Sequence, residues 1–192
     1  MNEKLELRMY GLVPYNISPI QQAIQFGHAV VEYGQKMKYL GEHNQSLNSQ
    51  YNDWADNWKT FIILNGGTTN NKTSSEDGLP FGSLNNHLLT LLDNNIDFAQ
   101  FCEPDLGDQL TAIVFIVDER VFNKNKYPDF EDWVIENYGD LIIGSGPAYL
   151  IAERIKESKS KEDKKVYQSW VNIIGGQKNV FLRDFLKNFR LA

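Results

Sequence analysis

Apolar and polar positions form blocks along this 192-residue chain, and the blocks predict strands and helices in turn. Residues 5–13 alternate and then become wholly apolar, which is typical of a strand, and residues 96–102 also alternate. Residues 59–64 and 110–117 are apolar runs of strand length. Between and after these strands, apolar residues recur at helical spacing. We therefore predict an α/β domain with a mixed four-stranded sheet and flanking helices.

The first helix follows the first strand and begins at a recognisable cap. Ser18 can accept hydrogen bonds from the first free amides, and Pro19 suits the first helical position. Apolar or small residues then recur at helical spacing, and we expect them to form the buried face: Ile20, Ala23, Ile24, Gly27, Val30, Val31 and Gly34. A polar row runs along the edge of that face, where a helix borders a cleft: Gln21, Gln25, His28 and Glu32. Such a row is more often an ordinary solvated helix flank.

The remaining pattern predicts how the chain is organised. Residues 42–52 are polar and without periodicity, which predicts a loop, and residues 144–147 predict a turn. Further helices are expected at 53–58, 83–92, 130–135, 148–158, 163–174 and 179–191. We divide the chain into an α/β core at 1–121, which carries the cleft, and a helical extension at 122–192 that packs on the core.

Charge is distributed unevenly over the two parts. Residues 151–192 hold 10 of the 19 Lys and Arg but 5 of the 25 Asp and Glu, a net charge of +5. The first 150 residues therefore carry a net charge of −11 within a total of −6. Because this acidic body repels a nucleic acid backbone on average, the C-terminal part is where a phosphate-binding face could lie. A lysine-rich surface helix explains the same charges.

Composition narrows the class of protein. Cys102 is the one cysteine, so the chain has no internal disulfide and no cysteine-based zinc site, which favours a reducing compartment. Its three histidines lack the paired spacing of a zinc site, and we expect no metal and no cofactor. The first ten residues are too charged for a signal peptide, and the run at 112–117 is too short to span a bilayer. We expect a cytoplasmic protein without membrane contact, in the host cytoplasm if the protein is viral.

A glycine-rich loop after the second strand is one candidate for the mouth of a cleft. Its glycines allow close backbone approach to a ligand, and its threonines offer hydroxyl groups, so we assign ligand contacts to Gly66, Gly67, Thr68 and Thr69. The lysine of a phosphate-binding loop is absent. An ordinary loop has the same composition.

An acidic turn at residues 103–109 is the second candidate. His28 beside Glu103 or Asp105 would form an acid–base pair near neutral pH, which makes these three residues the catalytic candidates. The backbone amides of Gly66 and Gly67 could donate to an oxyanion. A structural histidine at a helix–sheet border is the alternative interpretation of His28. A solvated acidic turn or a weak divalent-ion site is the alternative for Glu103, Asp105 and Asp108.

The first helix and the later strands resemble the type 2 peptidyl-tRNA hydrolase family over residues 5–120. Gln25, His28 and Ala29 match the family's helix pattern Gly-Lys-x-x-x-Gln-x-x-His-Ala, and Thr111 at the start of the fourth strand is similar. The resemblance implies that fold and a hydrolase acting at a tRNA 3′ end. The family's catalytic lysine falls at Gln21, which carries no charge, and its aspartate falls near Glu103 or Asp105. Whether the chain is an enzyme therefore stays open.

A second likeness is to small proteins of tailed bacteriophages. The shared segments are a helix motif His-x-x-x-Glu-Tyr, a Gly-Gly-Thr stretch, a Glu-Pro-Asp-Leu turn and Val-Asp-Glu-Arg-Val, which here lie at 28–33, 66–68, 103–106 and 117–121. This likeness implies a viral accessory protein.

Three functions follow from these observations. In the first, a phage-type accessory protein binds a small nucleotide-type ligand in the cleft and sequesters or cleaves it, and the ligand is a host immune signalling nucleotide (an anti-defence role). In the second, the chain is an active peptidyl-tRNA or related ester hydrolase. In the third, it is a protein–protein inhibitor that uses its C-terminal helices, which could also form a homodimer. The missing lysine and the acidic body favour the first over the second, because a tRNA needs a basic face near the cleft.

Overall fold

The computed structural model describes residues 4–41, 45–69, 82–142 and 148–192, without the side chains of 45–48, 139–142 and 148. The chain divides into two compact units. The first unit comprises residues 1–118 and 186–192, and the second comprises residues 119–185. The boundary between the units lies at Asp118 and Glu119, and the last residues of the chain belong to the first unit.

A mixed four-stranded sheet forms the centre of the first unit. Its strands are β1 (Leu7–Val13), β2 (Thr60–Asn65), β3 (Phe98–Glu103) and β4 (Gln109–Asp118), in the order β2-β1-β4-β3. β1 pairs in parallel with β2 and antiparallel with β4, and β3 pairs antiparallel with β4. Residues 110–117 of β4 are buried throughout, as their apolar sequence predicts for a central strand. The predicted α/β class with a four-stranded mixed sheet is confirmed.

Helix α1 (Pro19–Gly41) packs on β3 and β4 with a face different from the predicted one. Its buried residues are Gln25, Phe26, Ala29, Tyr33 and Met37. Ile20, Ile24 and Val31 are instead 75%, 50% and 61% exposed, so the predicted aliphatic face is wrong. The reason lies in β1, where Gly11 has no side chain and the ring of Phe26 occupies the space above it. Phe26 therefore faces the sheet, and Tyr33 on the same helix is buried as well.

Two further helices complete the first unit. Helix α2 (Gln45–Asp53) continues into a π-helical turn at Trp54–Trp58, so the predicted loop at 42–52 is wrong from Gln45 onward, and residues 42–44 lie outside the described residues. Tyr51 anchors this polar helix, because its ring packs against Tyr33 and Trp54 at centroid distances of 6.0 and 5.8 Å. Helix α3 (Ser83–Asp93) follows β2.

The C-terminal tail runs beside β2. Leu191 forms an antiparallel bridge with Leu64, and the amide of Asn65 donates to the carbonyl of Arg190 at 2.9 Å. The predicted helix at 179–191 therefore ends early, at Leu186. The tail satisfies backbone groups on the outer edge of β2.

The second unit is helical, and its helices are α4 (Glu119–Phe122), α5 (Phe130–Ile142), α6 (Ala148–Glu157), α7 (Lys161–Ile173) and α8 (Gln177–Leu186). The last residue of α8, Leu186, already belongs to the first unit. Its core is rich in aromatic residues, among them Phe130, Trp133 and Trp170. The predicted turn at 144–147 lies outside the described residues. In the ranges that the structure describes, no helix has both the length and the apolar character needed to cross a membrane.

Candidate functional site

A β-bulge in β4 positions the first polar group of the site. Phe101 pairs with Ala112 and Cys102 pairs with Leu110, so Thr111 is an extra residue on β4. A bulge of this kind redirects a side chain, and here the Thr111 hydroxyl meets α1. Thr111 is fully buried, and its hydroxyl donates to Oε1 of Gln25 at 2.7 Å and lies 3.3 Å from the carbonyl of Phe101.

Gln25 connects this buried hydroxyl to a carboxylate at the surface. The Gln25 side chain is buried, and its Nε2 donates to Oε2 of Glu103 at 2.5 Å. Because a carboxylate only accepts and the Thr111 hydroxyl can donate, the two neighbours fix the orientation of the Gln25 amide. The bond to Glu103 is charge-assisted and therefore stronger than a bond between neutral groups. The series Thr111–Gln25–Glu103 thus holds one carboxylate in a defined position.

Glu103 also organises the turn that follows β3. Its Oε1 accepts from the amide of Asp105 at 3.4 Å, and the segment Pro104–Leu106 forms a short 3₁₀ helix. The turn closes at Gly107, whose φ of 70° is the left-handed conformation that glycine adopts without strain. Asp105 therefore contributes its backbone amide to this arrangement, and its side chain is exposed.

An exposed histidine of α1 stacks on β3, two residues before Glu103. The ring of His28 stacks on the ring of Phe101 with a centroid distance of 4.6 Å and an interplanar angle of 24°. His28 follows Gln25 by about one helical turn on α1, so these two side chains share one face of the helix. Phe101 precedes Glu103 by two residues on β3, so these two side chains share one face of the strand. We call Gln25, His28, Phe101, Glu103 and Thr111 the α1–β3 site.

The other candidates on α1 have different surroundings. Gln21 forms a reciprocal capping box with Ser18, in which the Ser18 amide donates to Gln21 Oε1 at 3.0 Å and the Gln21 amide donates to Ser18 Oγ at 3.3 Å. The predicted start of α1 is therefore confirmed, and the side chain of Gln21 serves the cap. Glu32 is exposed, about one turn beyond His28 on the same helix.

The glycine-rich loop is held by bonds within the protein. The Gly66 amide donates to the carbonyl of Val13 at 2.8 Å, and the Gly67 amide donates to Oδ1 of Asn65 at 2.9 Å. Both amides are thus engaged, which contradicts the expectation that they bind an oxyanion. The Thr68 amide donates to Oγ of Ser83 at 2.8 Å.

Thr69 shows where this loop lies relative to the sheet. Its hydroxyl is buried and donates to the carbonyl of Leu110, the residue before Thr111 on β4. The loop therefore meets the beginning of β4, and its glycines and threonines support the fold there. Residues 70 and 71, the end of the predicted loop, lie outside the described residues.

Two residues of the α1–β3 site were not predicted as site residues. Phe101 belongs to an alternating strand pattern, which indicates a core position and gives no sign of a stacking partner. Thr111 was noted in the sequence only for its similarity to the resembled family, and the β-bulge that redirects its side chain has no sequence signature. Burial, and after it the negative charge of Asp108, raises the pKa of the nearby Cys102 thiol, which keeps the thiol protonated near neutral pH.

Comparison with known proteins leaves the family open, since the sequence matches no protein-family model and no curated protein. Within the described ranges, no group of three His, Cys, Asp or Glu side chains is placed to hold a metal ion. The side chains of the site offer one flat aromatic stack and one fixed carboxylate.

Proposed function

We propose that the α1–β3 site binds a small nucleotide-type ligand, with its base stacked on the His28–Phe101 pair and hydrogen-bonded to Glu103. The observation that carries the proposal is an exposed histidine ring stacked on half-buried Phe101, two residues before a carboxylate that the buried side chains of Gln25 and Thr111 hold in place. Stacking suits any nucleobase, because every base has a π face, and a carboxylate accepts from the N–H groups on its edge.

Sequestration fits the site better than cleavage. Ester hydrolysis needs donors for the developing oxyanion, and the glycine amides that could supply them are bonded within the loop. The cation of the family that the sequence resembles is replaced by Gln21, whose side chain serves the helix cap. We therefore favour a binding protein over an ester hydrolase. The likeness to bacteriophage proteins extends the proposal to a host signalling nucleotide as the ligand.

Three variants test the role of the stack. Purified protein is titrated with guanosine and adenosine monophosphates and with a cyclic dinucleotide by calorimetry. Stacking on an aromatic side chain contributes about 1–3 kcal/mol per base, so His28→Ala is expected to weaken binding roughly tenfold to a hundredfold. His28→Phe keeps a stacked ring without an imidazole and is expected to retain most of the affinity. Gln35→Ala, an exposed change on the same helix, is the control.

Further outcomes of these experiments separate the alternatives. Mass spectrometry of the recovered ligand distinguishes holding from cleavage, because a sequestering protein returns the nucleotide unchanged. Absence of binding by the wild-type protein, or equal binding by His28→Ala, contradicts the proposal. If the wild type converts the nucleotide to products and His28→Phe does not, the hydrolase is favoured.

A further inference from the structure

Each oxygen of the Glu103 carboxylate accepts one hydrogen bond from the part of the chain that the structure describes. An ionised carboxylate offers about four lone-pair positions on two oxygens. Among the described residues, Gln25 occupies one position on Oε2 and the amide of Asp105 occupies one on Oε1. Glu103 is half-buried, so part of the residue is exposed to solvent. The site thus presents two neighbouring acceptors that share one plane.

The protein also fixes the direction in which these acceptors point. Gln25 is buried and is itself oriented by the fully buried hydroxyl of Thr111. Gln25 and the backbone amide of Asp105 therefore hold the carboxylate in position before any ligand binds. Such preorganisation lowers the cost of binding and makes the geometry selective.

Nucleobases differ in what they offer to a pair of acceptors. Guanine carries two adjacent donors on its Watson–Crick edge, the N1–H and the exocyclic N2–H. Adenine places an acceptor, N1, beside its N6–H donor, so one carboxylate oxygen would face a lone pair. Hypoxanthine has the N1–H without the exocyclic amine. A bidentate, charge-assisted pair with Glu103 is therefore available to guanine alone among these three bases.

We propose that the α1–β3 site selects a guanine base, with N1–H and N2–H donated to the two oxygens of Glu103 and the ring stacked on the His28–Phe101 pair. The selection rests on the proposed function and goes beyond it by naming the base. The acidic surroundings support nucleosides and monophosphates over polyphosphates, since Asp105 and Asp108 are exposed in the adjoining turn.

Titration of the full-length protein with guanosine, inosine and adenosine tests the selection. A site built around paired donors rejects an analogue that lacks them, so guanosine is expected to bind at least tenfold more tightly than adenosine, with inosine between them. Glu103→Gln replaces two acceptors by one acceptor and one donor, a pattern that matches adenine. This variant is expected to lose at least tenfold in guanosine affinity and to reverse the preference.

The controls separate this inference from the proposed function. Glu131→Gln makes the same change at an exposed position of the second unit and is expected to leave the preference unchanged. Circular dichroism checks that Glu103→Gln is folded. Equal affinity for the three nucleosides, or an unchanged preference in a folded Glu103→Gln, overturns the guanine assignment while the proposed function stands. Absence of nucleoside binding by the wild type overturns both.

Discussion

Gly11 lies within β1, directly under the ring that α1 contributes to the core. A Cβ at this position would lie 2.2 and 2.3 Å from two ring carbons of Phe26 and 3.3 Å from Cγ1 of Val114. Carbon atoms pack at about 3.5–4.0 Å, so the ring would have to move by roughly 1 Å. Phe26 is buried and also packs edge-to-face on Phe61, which limits this movement. The substitution Gly11→Ala therefore tests which face of α1 meets the sheet.

The expected magnitude follows from two opposing effects. Overpacking a core usually costs about 1–3 kcal/mol, whereas replacing glycine by alanine in a strand returns about 0.5–1 kcal/mol of backbone entropy. We expect a net destabilisation of about 1–2 kcal/mol. Gly27→Ala is the matched control, because no atom lies within 4 Å of its Cβ position on α1. It is expected to stabilise the protein by about 0.5–1 kcal/mol, as alanine does in an exposed helix.

Hydrogen exchange of the β1 and β4 amides, followed through urea unfolding, is the suitable assay. It reports on the first unit alone, whereas a global signal combines two units that need not unfold together. Adding Phe26→Leu to Gly11→Ala is expected to recover part of the loss, which a double-mutant cycle measures as a coupling of about 0.5–3 kcal/mol. A neutral Gly11→Ala without coupling to Phe26 would refute the assignment of the buried face.

Two further predictions concern single side chains. Burial lowers the pKa of His87, whose ring packs edge-to-face on Phe189 at 4.8 Å, so the folded state binds a proton less readily than the unfolded state. Stability contributed by neutral His87 is present above about pH 6.5 and is lost as the pH falls. The Tm of the wild type should therefore drop more between about pH 7.5 and about pH 5.5 than the Tm of His87→Phe. Parallel Tm curves for the two proteins would contradict this prediction. In the second unit, the buried Arg183 guanidinium donates to Oδ1 of Asp129 and to the carbonyls of Arg120 and Tyr127 at 3.1, 2.8 and 2.6 Å. Arg183→Met should lower the free energy of unfolding of that unit, measured by hydrogen exchange, by about 3 kcal/mol. The control Lys124→Met removes an exposed ion pair to Asp129 and should lower it by at most about 1 kcal/mol. Equal effects of the two substitutions would count against a structural role for Arg183.

The sheet and most helices could be predicted because local signals and tertiary packing agree in those segments. The apolar run of β4 and the cap of α1 each point to one structure. The face of α1 could not be predicted from aliphatic residues, since the space above Gly11 selects an aromatic ring. The pattern predicts no helix for the polar segment before Trp54, where Tyr51 packs against Tyr33 and Trp54 across elements.

The candidate site was predictable where helical spacing alone decides which residues are neighbours. Gln25 and His28 were placed on one edge of α1, and the structure brings Gln25 to Glu103 and His28 to Phe101. The partners across the sheet depend on strand register, and the register at this point depends on the bulge at Thr111. A contact between elements far apart in sequence cannot be deduced from the periodicity of either element.

The position of Gln21 links the helix cap to the charge of the site. Its Oε1 accepts from the amide and hydroxyl of Ser18, a role that a lysine could not fill because an ammonium group only donates. This position is therefore occupied by a neutral residue with a structural role. The α1–β3 site then holds the charge of Glu103, with neutral hydrogen-bond partners in Gln25 and Thr111. A ligand complementary to this arrangement brings donors and a flat ring to the carboxylate, and its phosphates must lie away from the acidic turn.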